Sequence, residues 1–384
     1  MKIGVLREIA AGETRVAIVP ETVRCLVRDE HEVLVEAGAG AGAFFDDEAY
    51  QSAGATVCAD AGELCRQAEL IVKINPPADA TGERDELAML HSGAALVSLL
   101  HPATGGPLAE ALARQGVTSF AMDAMPRITR AQSMDVLSSM ATVAGYKAVL
   151  LAAAALGRMM PMLMTAAGTI KPAAALVIGA GVAGLQAVAT AKRLGARVAA
   201  VDTRPAVAEQ VESLGASFIS LETTHDAQDT GGYATDLGES FYKQEQDILA
   251  PHVAKADLII CTALIPGRPA PILITDAMVE SMRGGSVIVD LAATAGGNCT
   301  LSQPDQTVTH GGVTILGPTN LPAQAPINAS EMFSRNVASF LGELLVEGQL
   351  NVDLENEIIT ATLVTHDGKV VHPAALKALG RSEE

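Results

Sequence analysis

The chain contains no tryptophan, and aromatic residues make up 3% of a sequence that is 49% apolar. Its core must therefore be filled by Ala, Val, Leu, Ile and Met rather than by rings. Basic residues are also scarce: 26 Lys and Arg stand against 44 Asp and Glu, a formal charge of −18. No run of Lys or Arg occurs anywhere, which argues against nucleic acid and against charge-driven lipid binding, since both need concentrated positive charge. Cysteine offers neither a disulfide framework nor a metal site. Cys25, Cys58, Cys65, Cys261 and Cys299 show no C-x-x-C and no regular spacing, a pattern that suits reduced thiols in a cytoplasm. The histidines are equally scattered and form no H-E-x-x-H, so no metal is expected. The N-terminus, Met1 to Val5, reads as a short strand rather than the apolar core of a leader peptide. Pro172 to Ala191 is uncharged and long enough to cross a bilayer, but its Pro, Gly and Ala content reads better as a buried strand and helix. Ala148 to Met164 is apolar but interrupted by Arg158 and Pro161.

At 384 residues the chain exceeds what one core usually serves, so two domains are expected. Strand-like Lys2–Leu6, Glu32–Glu36, Leu70–Ile74, Ala95–Leu99 and Thr118–Ala121 alternate with helix-like Pro20–Asp29, Asp46–Ala53, Asp85–Leu90 and Pro107–Gln115. Such alternation describes an open, mostly parallel sheet covered by helices. A helical run from Ser133 to Arg158 links to a second unit of the same kind, and Asn328 to Glu347 reads as a helix returning to the first. Glu357–Val364 and Lys369–His372 read as a hairpin about Asp367-Gly368. The expectation is an α/β protein of two Rossmann-like domains, separated by a cleft and joined by long helices. Residues 1–135 with 329–384 form the first domain and 136–328 the second.

The most informative stretch runs from Ala174 to Gly184: an apolar strand, then Gly179-Ala180-Gly181-Val182-Ala183-Gly184, a G-x-G-x-x-G turn that opens a helix. Gly179 permits the tight turn, Gly181 lets backbone approach a pyrophosphate, and Gly184 lets the helix lie close on the sheet. Phosphates would sit on free amides at the positive end of the helix. Asp202 follows the next strand, eighteen residues after Gly184, where a carboxylate binds adenosine ribose hydroxyls. It favours NAD over NADP because it would repel a 2′-phosphate, although Arg204 stands close by.

Three polar segments complete the candidate site. Arg127-Ile128-Thr129-Arg130-Ala131-Gln132-Ser133-Met134-Asp135 lies between two apolar elements. Gln132 can match a carboxamide edge, Arg127 can reach phosphate or a carbonyl, and Asp135 can orient Arg127 or take the carboxamide N–H. The same residues also fit a plain helix start, capped by Thr129 or Ser133 with Asp135 in the first turn. Thr223 to Glu239 is polar and carries Gly231-Gly232-Tyr233, which suits a flap over a ligand as well as an ordinary surface loop. Thr262 to Gly267 follows a strand and would put Ala263 and Leu264 beside adenine or ribose.

Together with Arg7-Glu8, Gly12 to Ala17, and Asp290 to Ala293, these segments resemble the NAD(H)-binding alpha subunit of proton-translocating NAD(P) transhydrogenase over essentially the whole chain. The resemblance implies that Arg127, Gln132, Asp135 and Ser138 surround the nicotinamide and its phosphates, with backbone contacts from Ile128 and Thr129. It implies that Val182 touches the pyrophosphate, that Asp202 holds the ribose with Thr203 and Arg204 beside it, that Gly232 and Tyr233 close over the nucleotide, and that Leu264 meets adenine. Where the family has a Gln after the flap, this chain has Glu245. The resemblance further implies a homodimer and hydride transfer from NADH to NADP⁺, with NADP(H) held by a partner subunit. Membrane-spanning subunits would carry the proton, and the chain would be cytoplasmic, attached peripherally to the inner membrane in the split-subunit arrangement.

Alanine dehydrogenase, related in fold, is the rival. Arg15 and His101 suit both families. The rival's substrate-binding lysine is replaced here by Asn75 in Lys73-Ile74-Asn75-Pro76-Pro77, and its catalytic aspartate by Thr294. Lys73, on the same face of a strand as residue 75, remains able to reach in.

Overall fold

The computed structural model describes residues 1–80, 83–221, 238–265 and 268–381. The chain divides into two compact units, Met1–Met140 with Ala323–Glu384, and Ala141–Pro322.

In the first unit, β1 (Lys2–Val5), β2 (Glu32–Glu36), β3 (Thr56–Cys58), β4 (Leu70–Val72), β5 (Ala95–Ser98) and β6 (Thr118–Ala121) run parallel in the order β6-β5-β4-β1-β2-β3. Every residue of β4 and β5 is buried, as parallel strands covered on both faces require. The C-terminal segment closes the sheet, with Leu363–His366 antiparallel to β6 and Lys369–Val370 outside it. Asp367 (φ 48°) and Gly368 (φ 72°) make the tight turn that the Asp-Gly pair predicts. The first strand of the expected hairpin is shorter than the sequence suggests: Glu357–Thr362 is a helix, started by Asn356, whose side chain accepts from Ile358 N at 3.1 Å.

The long linking helix is shorter than expected, Val136–Ala155. After it comes an unanticipated hairpin, β7 (Leu163–Thr165) and β8 (Gly168–Ile170), exposed at every position. In the apolar run that leads into it Met160 is buried, but Met162 and Met164 are 60% and 72% exposed.

The second unit holds β9 (Ala174–Ile178), β10 (Arg197–Val201), β11 (Ser217–Ile219), β12 (Leu258–Cys261), β13 (Val287–Asp290), β14 (Thr307–His310) and β15 (Val313–Leu316), in the order β11-β10-β9-β12-β13-β15-β14. Of these strands β14 runs antiparallel and the rest parallel. Strand order reverses between β9 and β12, so ligands are expected outside the carboxyl ends there. One face of this sheet packs a core of twenty-three buried residues of which ten are Ala and eight Val, with no ring among them. Val136–Ala155 has the length and mean hydropathy (1.5) of a membrane span, alone among the described helices. Its Ala148, Val149 and Ala152 are nonetheless fully buried in this core. Pro172 to Ala191 is no single helix but β9, the glycine turn and the start of helix Val182–Arg193.

Candidate functional site

The turn after β9 is built from backbone restraints that only glycine meets. Gly179 has φ +89°, and a Cβ there would lie 2.7 Å from Thr262 Oγ1. Thr262 fixes the turn, its amide donating to Ile178 O (2.8 Å) and its hydroxyl to Gly179 O (2.9 Å). A Cβ on Gly184 would overlap the Gly179 carbonyl oxygen, so the helix can pass this close only without a side chain. Gly181 is the extended N-cap residue of helix Val182–Arg193 and has no side-chain cap. The amides of the first turn, Val182 to Gly184, have no acceptor within the helix. A Cβ built on Gly181 would meet only Arg204 Nη2, 3.9 Å away. That open ground before unfilled amides fits a pyrophosphate. Val182 and Leu264 are bare beside it, 41% and 44% exposed.

Asp202 follows β10 and is buried. Its Oδ2 accepts from Ala180 N (2.7 Å) and Arg204 Nη2 (2.8 Å), and its Oδ1 from Arg204 N (2.9 Å) and Nε (2.8 Å). The carboxylate thus ties the glycine turn to the end of the neighbouring strand, and Arg204 is its cation. Thr203 between them is half-buried. Glu245, on helix Glu239–Val253, is also buried. Burial first, and then the Asp202 charge, push its carboxyl up to about 7. The structure therefore brings Gly179, Ala180, Gly181, Val182, Gly184, Asp202, Arg204 and Glu245 into one locality. Gly232 and Tyr233 lie outside the described residues.

Two supports have roles that the sequence did not show. Buried Asn298 accepts from Ala263 N (3.0 Å) and donates to Ala263 O (2.9 Å) and Pro271 O (2.9 Å), fixing the segment that carries Leu264. Asp290 is fully buried and accepts from Ala292 N, Asn298 N, Cys299 N and Ser302 Oγ, so it organises a turn. Neither has a local signal, because both act through contacts formed on folding.

The Arg127 segment belongs to the first unit and follows β6. Thr129–Met134 is a short 3-10 helix with Arg127, Thr129 and Gln132 exposed and Ile128 half-buried. Asp135 starts helix Val136–Ala155, its Oδ1 accepting from Ser138 N (2.9 Å) and its Oδ2 from Ser138 Oγ (2.5 Å). The helix start differs from the expected one: Asp135 itself caps the helix in place of Thr129 or Ser133, and Gln132 stays exposed. The segment is braced from behind: Asn336 Nδ2 donates to Ser133 O (2.7 Å) and Arg130 Nη2 to Asn356 Oδ1 (2.8 Å).

The polar groups shared with the rival family are engaged elsewhere in the first unit. Lys73 is buried, with Nζ 2.6 Å from Glu86 and 3.7 Å from Glu8. Arg15 donates Nε to Glu13 Oε1 (2.7 Å) and Nη2 to Glu13 Oε2 (2.6 Å). Burial would push Glu13 up, but the hydrogen bonds and charge of Arg15 outweigh it and hold the carboxyl at about 2. Asn75 Nδ2 donates to Glu8 (3.0 Å) and Glu13 (3.2 Å). His101 has a left-handed backbone (φ 49°) and sets Nδ1 3.2 Å from Asp123, a hydrogen bond that raises its pKa. Thr294 is exposed on the turn after β13.

Comparison with known proteins gives the family. Residues 4–144 match the N-terminal domain model, and residues 148–373 the C-terminal domain model, of alanine dehydrogenase/PNT. The chain is 48% identical over 378 residues to an NAD(P) transhydrogenase subunit alpha of Rhodospirillum rubrum, covering 97% of this chain and 98% of that one. A transhydrogenase structure from Sinorhizobium meliloti superposes with a TM-score of 0.87 at 42% identity, covering 97% and 100% of the two chains. An L-alanine dehydrogenase structure gives 0.81 at 29% identity, covering 99% of each. The chain belongs to the alanine dehydrogenase/PNT family, among its transhydrogenase alpha subunits.

Proposed function

We propose that the chain is the NAD(H)-binding component of a proton-translocating transhydrogenase, which passes hydride between its own nucleotide and NADP(H) held by a partner subunit. The observation that carries this over amino-acid oxidation is the state of Lys73. An oxidative deaminase needs groups that bind a substrate carboxylate and move protons. Here the position next to the prolines is Asn75, and the Lys73 ammonium is locked against Glu86 at 2.6 Å. Hydride passing between two nicotinamides needs no proton donor or acceptor in the site, so nothing there must titrate for chemistry.

The work left to the protein is orientation and exclusion of water. The amides from Val182 to Gly184 hold the pyrophosphate, and Asp202 takes the ribose hydroxyls, which replace bonds now made by the Arg204 side chain. Gln132 and Arg127 position the carboxamide end with Asp135 and Ser138. Tyr233 and Gly232 close over it.

The decisive test is a pair of assays on the purified chain. With NAD⁺ and L-alanine, no turnover is expected. Adding the NADP(H)-binding partner should produce hydride transfer between NADH and NADP⁺. Robust alanine oxidation would transfer the assignment to the dehydrogenase, with His101 and Asp123 as its proton-handling pair.

The assembly we infer is a homodimer, held peripherally at the cytoplasmic face of the inner membrane by membrane-spanning subunits. Support comes from the exposed apolar side chains of Met162, Leu163, Met164 and Ile170, which a second copy would cover. Light scattering in detergent-free buffer should give twice the chain mass; a single species of chain mass at micromolar concentration rejects the dimer.

A further inference from the structure

Helix Glu239–Val253 lays an apolar stripe on the sheet. Phe241, Tyr242, Ile248 and Leu249 all pack in the core formed with Leu176, Ile178 and Val201. Those four sit three and four residues either side of Glu245, so the carboxyl occupies a core position of the stripe. It is 4% exposed, whereas its neighbours Lys243 and Asp247 point to solvent. A carboxyl in such a place costs stability unless it is neutral or used. The charge that acts on it is that of a second buried carboxyl, Asp202, from the end of β10. Among the described residues the cation there is Arg204, already given to Asp202 through two side-chain bonds. Two buried carboxyls of which one holds the cation do not both ionise cheaply.

We propose that Glu245 is the protonated member of a carboxyl pair with Asp202, serving as a hydrogen-bond donor at the adenosine-ribose end of the site and coupling NAD(H) binding to proton uptake. The inference rests on the nucleotide site proposed above. Asp202 accepts from the ribose hydroxyls; Glu245 supplies the complementary donor, as a glutamine amide would. Bound nucleotide brings a negatively charged pyrophosphate and removes water, and both effects disfavour a second carboxylate. The proton therefore binds more tightly in the complex than in the free chain.

The direction follows. Glu245 in the free chain titrates near 7. Affinity is full below that pH, weakens as pH rises through it, and levels off at the higher value reached in the complex. If binding raises that value by about one unit, the Kd for NADH rises about fourfold between pH 6.5 and 8. Titrations followed by NADH fluorescence on the full chain, over this range, should show this rise. Glu245→Gln should show none of it and bind at pH 8 as the parent does at pH 6.5. Calorimetry at pH 7.5 in two buffers of different ionisation enthalpy should show proton uptake by the parent that Glu245→Gln lacks. A flat parent profile, or equal slopes and proton uptake in parent and variant, overturns the role of Glu245 while leaving the nucleotide site standing. Absence of NADH binding at every pH overturns both.

Discussion

Gln132→Asn should lower hydride transfer under NADH saturation by about a hundredfold, the penalty expected for a displacement of order 1 Å at a reacting group. The affinity for NADH should change far less. The side chain loses one methylene, so its amide falls short of the carboxamide it orients, while Asp202 and the amides after Gly181 keep the rest of the nucleotide. The scaffold should tolerate the change, because Gln132 is exposed and the backbone around it is braced by Asn336 and Arg130. Single-turnover rates at saturating NADH, compared with the fluorescence Kd, separate the two effects. A collapse in affinity with an unchanged saturated rate would make Gln132 a binding contact and reject the division of labour.

Asp202→Ala should reverse the choice of nucleotide. Each hydrogen bond from a ribose hydroxyl to the carboxylate is worth roughly 1.5–3 kcal/mol, so NADH affinity falls by about tenfold or more. The same change releases Arg204, whose Nε and Nη2 now lie 2.8 Å from the two Asp202 oxygens. A freed guanidinium beside the ribose attracts a 2′-phosphate, and NADPH affinity should rise. The double variant Asp202→Ala with Arg204→Ala should lose that gain. Asp202→Asn, which retains an acceptor for Ala180 N, controls for loosening of the turn. NADH affinity unchanged in both Asp202 variants would remove Asp202 from the ribose site.

The glycine turn was legible because its constraints are local: a left-handed Gly179 and a side-chain-free Gly184 are needed whatever else the chain does. Asp202 was legible for a related reason, since strand, helix and strand fix its distance from the turn. Lys73 was not. Its availability depended on Glu86, which lies across a loop and has no periodic relation to it. Asp290 read as a strand-end carboxylate of open purpose, and only its four donors show that it organises a turn. Glu357–Thr362 misled for a different reason. Ile358, Ile359, Thr360 and Thr362 are β-branched and favour a strand. The Asn356 cap and the burial of Ile358, Ile359 and Thr362 on one helical face decide otherwise. The hairpin β7–β8 was not legible at all, because its short strands carry no alternating pattern to set them apart from the apolar run before them.

The Ala- and Val-rich core of the second unit gives it an unusual profile of mutational sensitivity. Freezing an alanine costs no rotamer entropy and freezing a valine little, so this core becomes ordered with a small entropic loss per residue. It also has few rotamers to exchange, and hence few ways to absorb added volume. Truncations have little to remove at positions such as Ala180, Ala187, Ala191 and Ala200. Enlargements there have nowhere to go and carry the usual overpacking cost of about 1–3 kcal/mol. The second unit should thus be intolerant of gain rather than of loss, and Gly145 joins Gly184 at the strict end, because a methyl there would strike the Ala183 carbonyl at the start of the nucleotide helix.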